Sequence, residues 1–260
     1  MLSGVANILT ASLTLVTIEG DNTVLYQQTA RHLLKQLALA MSGEKLAGST
    51  AFISEDLSSV PQPATAEDCR NVHLLLKVYQ KMAKGVLSQA GTLMQADLMN
   101  GLPQHEAWNK NQVILVRAAQ AYSLMYLVEC NIEGVEQLRQ SASQELVTVL
   151  HRLCCLFALY HLDLNAGLFM QTEAIAPGQL NIVKSVEMEL MKEIRPDAVA
   201  LADAVDIPDA GHKSVLGCYD GNVYERMYAA ALGEPMNKTQ VHPAYHKHLR
   251  GMIKSTTSKL

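Results

Sequence analysis

Apolar residues recur every three or four positions through the middle of this chain. Val72, Leu75, Leu76, Tyr79, Ala83, Val86, Ala90, Leu93, Met94 and Leu98 form one such stripe. That spacing places side chains on one face of an α-helix. The helix it predicts covers about 65–99. Thr65-Ala66-Glu67-Asp68 at its start resembles a capping box with Asp in place of the usual Glu or Gln, and Asn100-Gly101-Leu102-Pro103 stops it. A second helix is predicted over about 105–130, with Ile114, Ala118, Ala121, Met125 and Val128 on one face. A third is predicted over about 134–162, through Val135, Leu138, Ala142, Leu146, Val149, Leu153, Phe157 and Tyr160. Pro177-Gly178 opens a fourth, with Leu180, Val183, Val186, Leu190 and Ile194 inward, and Pro196 ends or kinks it. Long helices joined by short turns become antiparallel neighbours, so the fold class expected is all-α, a helical bundle. No alternating Val/Ile/Thr runs with hairpin turns compete with it.

The chain has 260 residues, 49% of them apolar and 5% aromatic, which is ample material for a core in one large or two small domains. Shorter helices are expected near 198–205, 221–232 and 241–252, with Asp220-Gly221-Asn222 as a turn before the second of them. Residues 43–64 are rich in Gly, Ser, Thr and Pro. They read as a linker between an N-terminal piece, 1–42, and a C-terminal helical unit, 65–260. Net charge is −4 with no basic block, which argues against a nucleic-acid partner. The first eighteen residues are uncharged and mostly apolar. No basic segment precedes them and polar residues interrupt them, so they do not read as a signal peptide, and they are marginal for a membrane span of about 20 residues. Five cysteines without CxxC spacing fit a reducing compartment, most of them packed as small hydrophobes. His242 and His246 stand four apart with His248 nearby, but no further ligand accompanies them, so no metal is expected.

The remaining stretch of note is Thr17-Ile18-Glu19-Gly20-Asp21-Asn22-Thr23-Val24, running on to Arg31. Asp21 and Asn22 are N-cap types. Tyr26, Ala30, Leu33, Leu37 and Met41 then follow at helical spacing, up to Ser42-Gly43. Glu19 therefore stands just outside a helix N-terminus, beside a glycine that permits close approach. The free N–H groups of that turn suit an anion or a polar cofactor group. By spacing alone, such a carboxylate is more often a cap or a solvated charge than a catalyst.

The residues themselves shift that balance. Glu19-Gly20-Asp21-Asn22-Thr23-Val24 with Gln28-Thr29-Ala30-Arg31 closely resembles the peroxisomal acyl-CoA oxidases. The resemblance extends upstream through Ser3-Gly4 and Asn7-Ile8. It returns in Asp197-Ala198-Val199-Ala200-Leu201, in Tyr219-Asp220-Gly221-Asn222-Val223-Tyr224-Glu225, in Asn237-Lys238 and in His242, and the chain closes on Ser258-Lys259-Leu260. Between about 65 and 195 the likeness is mainly one of helical character.

The resemblance implies a flavoenzyme of fatty acid β-oxidation. Such enzymes convert a fatty acyl-CoA to the trans-2-enoyl-CoA with FAD, and O2 is reduced to H2O2. Glu19 matches the family's catalytic base. Gly20, Asp21 and Asn22 match the loop near the flavin. Ser258, Lys259 and Leu260 match a peroxisomal address read by an import receptor, and a homodimer is implied. The family's chains are several hundred residues longer. Their other parts include the β-domain that covers the flavin, absent here, and a Gly-Gly-x-Gly-Tyr loop just upstream of the position of Ser3. Ile18 stands where the family usually has an aromatic. The expectation is a C-terminal portion of an acyl-CoA oxidase, inactive by itself, with 1–42 a remnant of the dehydrogenase-like helical domain. The alternative is a non-catalytic helical scaffold that pairs with a full-length oxidase.

Overall fold

The computed structural model describes residues 3–18 and 20–257, so Glu19 and Ser258-Lys259-Leu260 lie outside the described residues. Among the described residues every regular element is a helix, as the apolar periodicity predicts. Two compact units divide the chain. Residues 20–202 form the larger, and residues 3–18 with 203–257 form the smaller.

Helix α1 (Val5–Ile18) belongs to the smaller unit. The larger contains α2 (Asn22–Met41), α3 (Val72–Met99), α4 (Gln104–Leu138), α5 (Gln144–Leu164), α6 (Ala166–Gln171), α7 (Leu180–Ile194) and most of α8 (Ala198–Asp203). Side-chain pairs set the directions of the long helices. His73 at the start of α3 meets Glu136 near the end of α4 at 2.9 Å, while Asp97 at the end of α3 meets Lys110 near the start of α4 at 2.5 Å. That pairing requires antiparallel helices. Lys184–Asp163 at 3.4 Å and Arg152–Glu193 at 3.0 Å do the same for α5 and α7. Helix α2 lies against α4 and α3.

The core they enclose is continuous. Leu33, Leu75, Met82, Leu115, Met125, Leu159, Leu162 and Phe169 have no exposed surface. Tyr79 is buried with them. Its hydroxyl donates to the Ala158 carbonyl at 2.6 Å, and its ring meets Phe169 edge-on at 4.8 Å. A buried tyrosine needs such a partner for its one polar atom.

Several boundaries differ from expectation. Helix α3 begins at Val72, because Asn71 caps it through the N–H groups of His73 and Leu74. The capping box at Thr65 and Asp68 does form, with reciprocal bonds of 3.1 and 2.9 Å, but it holds the turn before a short 3-10 segment at Asp68–Arg70. Helix α4 runs through Gly134 to Leu138, so Val135 is buried on α4 and not on a third helix. A single glycine inside a long packed helix costs only about 1 kcal/mol, which neighbouring burial offsets. The break falls instead at Ser143, whose hydroxyl caps α5. Residues 43–64 carry a 3-10 segment, Gly48–Ser54, and bury Phe52, Ile53 and Leu57 in the same core as α2 and α3.

Helices α4 and α5 are long and apolar enough to cross a membrane by length and composition. Both are bundle helices with fully buried core residues, and α4 also carries Lys110, Arg117, Glu129 and Glu133. Of these, Arg117 falls in the apolar middle of α4, where a charge is costly in a bilayer centre.

An ion network ties the segment before α3 to α7. Arg70 reaches Glu193 at 2.7 Å and Glu189 at 3.2 Å, and Arg152 reaches Glu193 at 3.0 Å. The hydrogen bond from Arg70 holds the Glu193 carboxyl below the ordinary glutamate value of 4.5, against a smaller opposing effect of desolvation. A depressed folded pKa means the stabilisation is present above the unfolded value and is lost as pH falls through the folded one. The denaturant midpoint should therefore drop as pH falls below 4.5. Glu193→Gln should lower the midpoint at neutral pH and flatten that acid limb. An acid limb unchanged in Glu193→Gln would exclude the network as its source.

In the smaller unit, the Ser214 hydroxyl donates to the Ser3 carbonyl. Gly4 approaches Ser214 so closely that an added Cβ would lie 2.8 Å from its Cβ. Helix α1 then presents Val5, Ile8, Leu9, Leu13 and Leu15 at 55–74% exposure. The hydroxyls of Thr10 and Thr14 turn back onto carbonyls of the preceding turn. Further along, α9 (Asp209–His212), α10 (Val223–Gly233) and α11 (Arg250–Thr257) complete the unit. Asp220 accepts from the Asn222 N–H at 3.0 Å and pairs with Arg226 at 2.8 Å, forming the turn expected before α10. The Arg226 bond, with help from Asn222, pulls the Asp220 carboxyl down to about 2.

Candidate functional site

The turn into α2 carries Gly20, Asp21 and Asn22, which follow Glu19 in the sequence. Gly20 takes φ of +98°, a region that L side chains rarely adopt, and nothing lies within 4 Å of where its Cβ would be. The backbone at Gly20 is thus open on one side. Asp21 is the N-cap: its Oδ1 accepts from the Thr23 N–H at 2.8 Å and the Val24 N–H at 3.4 Å. Asn22 is the first residue of α2 and is exposed, as are Gly20 and Asp21.

This corrects one expectation. The turn does not offer the Thr23 and Val24 N–H groups to an outside anion, because the Asp21 carboxylate already holds them. A phosphate brought to that helix end would meet a carboxylate. A neutral polar edge lying against Gly20 would not. Glu19, one residue before the open glycine, falls outside the described residues.

Below the turn, on the face of α2 four residues from Asn22, Tyr26 borders an open groove of about 850 Å³. Its other walls include Arg117, Gln120 and Ser123 of α4 and Asn165 and Gln171 from the end of α5 and from α6. A second groove, of about 1010 Å³, lies at the far end of α2. There Arg31 sits 5.6 Å over the ring of Trp108. Sequence reasoning did not single out this second groove. Its cations come from two helices and its indole from a third, and no periodicity links them. The available signals were Arg31 at the end of the Gln28–Arg31 motif and Trp108 as the chain's single tryptophan.

The remaining candidates are structural. Cys69, Cys154 and Cys155 are buried, while Cys130 is exposed and Cys218 is intermediate. Burial raises the Cys69 thiol to about 11 and the Cys155 thiol to about 12, the reverse of what a nucleophilic thiolate requires. His151 is pushed down by burial and lies 3.8 Å from the Cys155 sulfur. Among the described residues no group of three or more His, Cys, Asp or Glu is placed to hold a metal ion.

Comparison with known proteins gives a consistent result. The sequence model of the acyl-CoA oxidase family matches residues 71–254. Peroxisomal acyl-coenzyme A oxidase 1 of Bos taurus is 37% identical over 256 residues, covering 96% of this chain and 38% of that protein. The Rattus norvegicus protein of the same name is 35% identical over 254 residues. Among solved structures, Arabidopsis thaliana acyl-CoA oxidase 1 superposes with a TM-score of 0.84 at 29% identity, over 98% of this chain and 38% of that one. Acyl-CoA oxidase-1 of Caenorhabditis elegans, complexed with FAD and ATP, gives 0.76 at 29% identity, over 92% and 36%. The chain thus spans less than two fifths of the length of these relatives.

Proposed function

The chain belongs to the acyl-CoA oxidase family, and from that premise we propose that it supplies the catalytic-base turn and the C-terminal helical part of a peroxisomal acyl-CoA oxidase. The reaction is α,β-dehydrogenation of a fatty acyl-CoA to the trans-2-enoyl-CoA, with O2 reduced to H2O2. The observation that carries the reading is the turn itself: an open left-handed glycine between Glu19 and a self-capped helix.

Each residue of the turn has a distinct task. Glu19 accepts the α-proton of the substrate, whose acidity the thioester carbonyl raises, and must reach it at hydrogen-bond distance. Gly20 keeps the backbone beside Glu19 free of a side chain, so that a flat polar ring can lie against it. Asp21 locks the start of the helix through Thr23 and Val24. Asn22 offers an exposed amide at the helix start. These residues fit the neutral edge of a flavin ring. They do not fit its diphosphate, which would face the Asp21 carboxylate. FAD, when bound, supplies the acceptor for the β-hydride and the route of the electrons to O2.

Fusing the upstream part of the Bos taurus relative ahead of Ser3 tests the proposal. The fused protein should show flavin absorbance and release peroxide with a long-chain acyl-CoA, and the 260-residue chain alone should do neither. A fused protein that folds and binds flavin yet releases no peroxide would defeat the assignment.

Peroxisomal residence rests on Ser258-Lys259-Leu260 together with the names of the relatives, which are peroxisomal acyl-coenzyme A oxidases. A fluorescent protein placed at the N-terminus should be found in peroxisomes. The same fusion lacking Leu260 should stay diffuse. Identical diffuse signals from both would reject the address.

A further inference from the structure

The groove at the far end of α2 has a composition unlike the rest of the surface. Its floor is apolar: Leu34, Leu37, Ile53 and Met94 line it, the last three buried. Its rim carries three cations, Arg31 and Lys35 one turn apart on α2 and Lys84 on α3. No carboxylate is among its lining residues, in a chain of net charge −4, and the acidic neighbour that feels Lys84 is Asp56, outside the groove. The Arg31 guanidinium lies over Trp108, which orients it while leaving its edge N–H groups available to an anion. Lys84 donates to the Glu55 carbonyl, which uses one of its three donors and holds the ammonium at the rim.

We infer that this groove binds a fatty acyl-CoA as a second site, separate from the catalytic turn, with the alkyl chain on the apolar floor and the phosphates among Arg31, Lys35 and Lys84. An alkyl chain alone would make no use of the donors that Arg31, Lys35 and Lys84 still have to offer, and an inorganic phosphate would leave the floor empty. The groove measures about 1010 Å³. The site is distinct from the turn because Arg31 lies nine residues along α2 from Asn22, about 13.5 Å at 1.5 Å per residue. The inference uses neither Glu19 nor the flavin, so it stands or falls independently of the proposed reaction.

Trp108 is the only tryptophan of the chain, so its fluorescence reports on this groove alone. Palmitoyl-CoA kept below its micellar concentration should shift the Trp108 emission saturably, with calorimetry giving one site on the 260-residue chain. Lys35→Gln and Lys84→Gln should each weaken binding about tenfold, the loss expected for a charge-assisted hydrogen bond to phosphate. Arg117→Gln, in the other groove, should leave binding unchanged. Raising the salt concentration should weaken binding to the wild-type chain more than to either lysine variant. Far-ultraviolet circular dichroism checks that the variants fold. An unchanged Trp108 signal, equal affinity of wild type and lysine variants, or palmitate binding as tightly as palmitoyl-CoA would each overturn the inference.

Discussion

Glu19→Gln, in the flavin-loaded protein that joins this chain to the upstream part of its bovine relative, should lower peroxide release by about 10²–10⁴-fold, the range general-base removal commonly produces. Glutamine keeps the size and the polarity of the side chain but cannot take the α-proton. The turn that holds it would be intact, because the Asp21 cap and the Gly20 backbone do not depend on residue 19. Flavin absorbance should therefore persist and KM should change little, the whole loss falling on kcat. Full activity of the variant would remove Glu19 from the role of base. Loss of flavin together with activity would instead make residue 19 part of what holds the cofactor.

The second large effect is on stability. Leu75→Ala and Leu159→Ala should each cost about 2–5 kcal/mol, the range for a fully buried leucine whose cavity does not collapse. Neither leucine has exposed surface, and both belong to the continuous core. Leu76→Ala and Leu153→Ala, at half-buried positions on the same helices, should cost clearly less. Denaturant titration compares the four midpoints. Equal losses at all four positions would mean that the core is not where the structure places it.

These leucines show how far the periodicity could be read. The stripe on α3 names Val72, Leu75, Tyr79, Ala83, Val86, Ala90 and Met94, and all of these are buried. It also names Leu93 and Leu98, which are over 40% exposed. A spacing of three or four selects a face about 100° wide, and the neighbouring helix covers only part of it. Leu146 and Tyr160 on α5 fail in the same way, at 46% and 50% exposed. The error in the third helix has another cause. Apolar spacing runs almost unbroken from Ile114 to Tyr160, so the break at Ser143 shows only through its capping bond to Leu146.

The turn at Gly20 was legible for a different reason. A glycine followed by Asp and Asn before an apolar-periodic run carries its own backbone instruction, because a positive φ and an N-cap are local demands. That Asp21 would occupy the N–H groups itself, and so change which part of a cofactor can lie there, depends on a side-chain rotamer that no pattern states.

By itself, then, the sequence determined the class of fold, the faces of its long helices, the turn into α2 and the family, since each rests on spacing, caps and motifs close together along the chain. Tertiary structure alone decided that α2 lies against α3 and α4, the Arg70–Glu193 network across 123 residues, and the gathering of Arg31, Lys35, Lys84 and Trp108 around one groove. The physical reason is that burial and charge pairing are properties of which surfaces meet. Residues far apart in the chain acquire a shared environment only when the helices carrying them are packed.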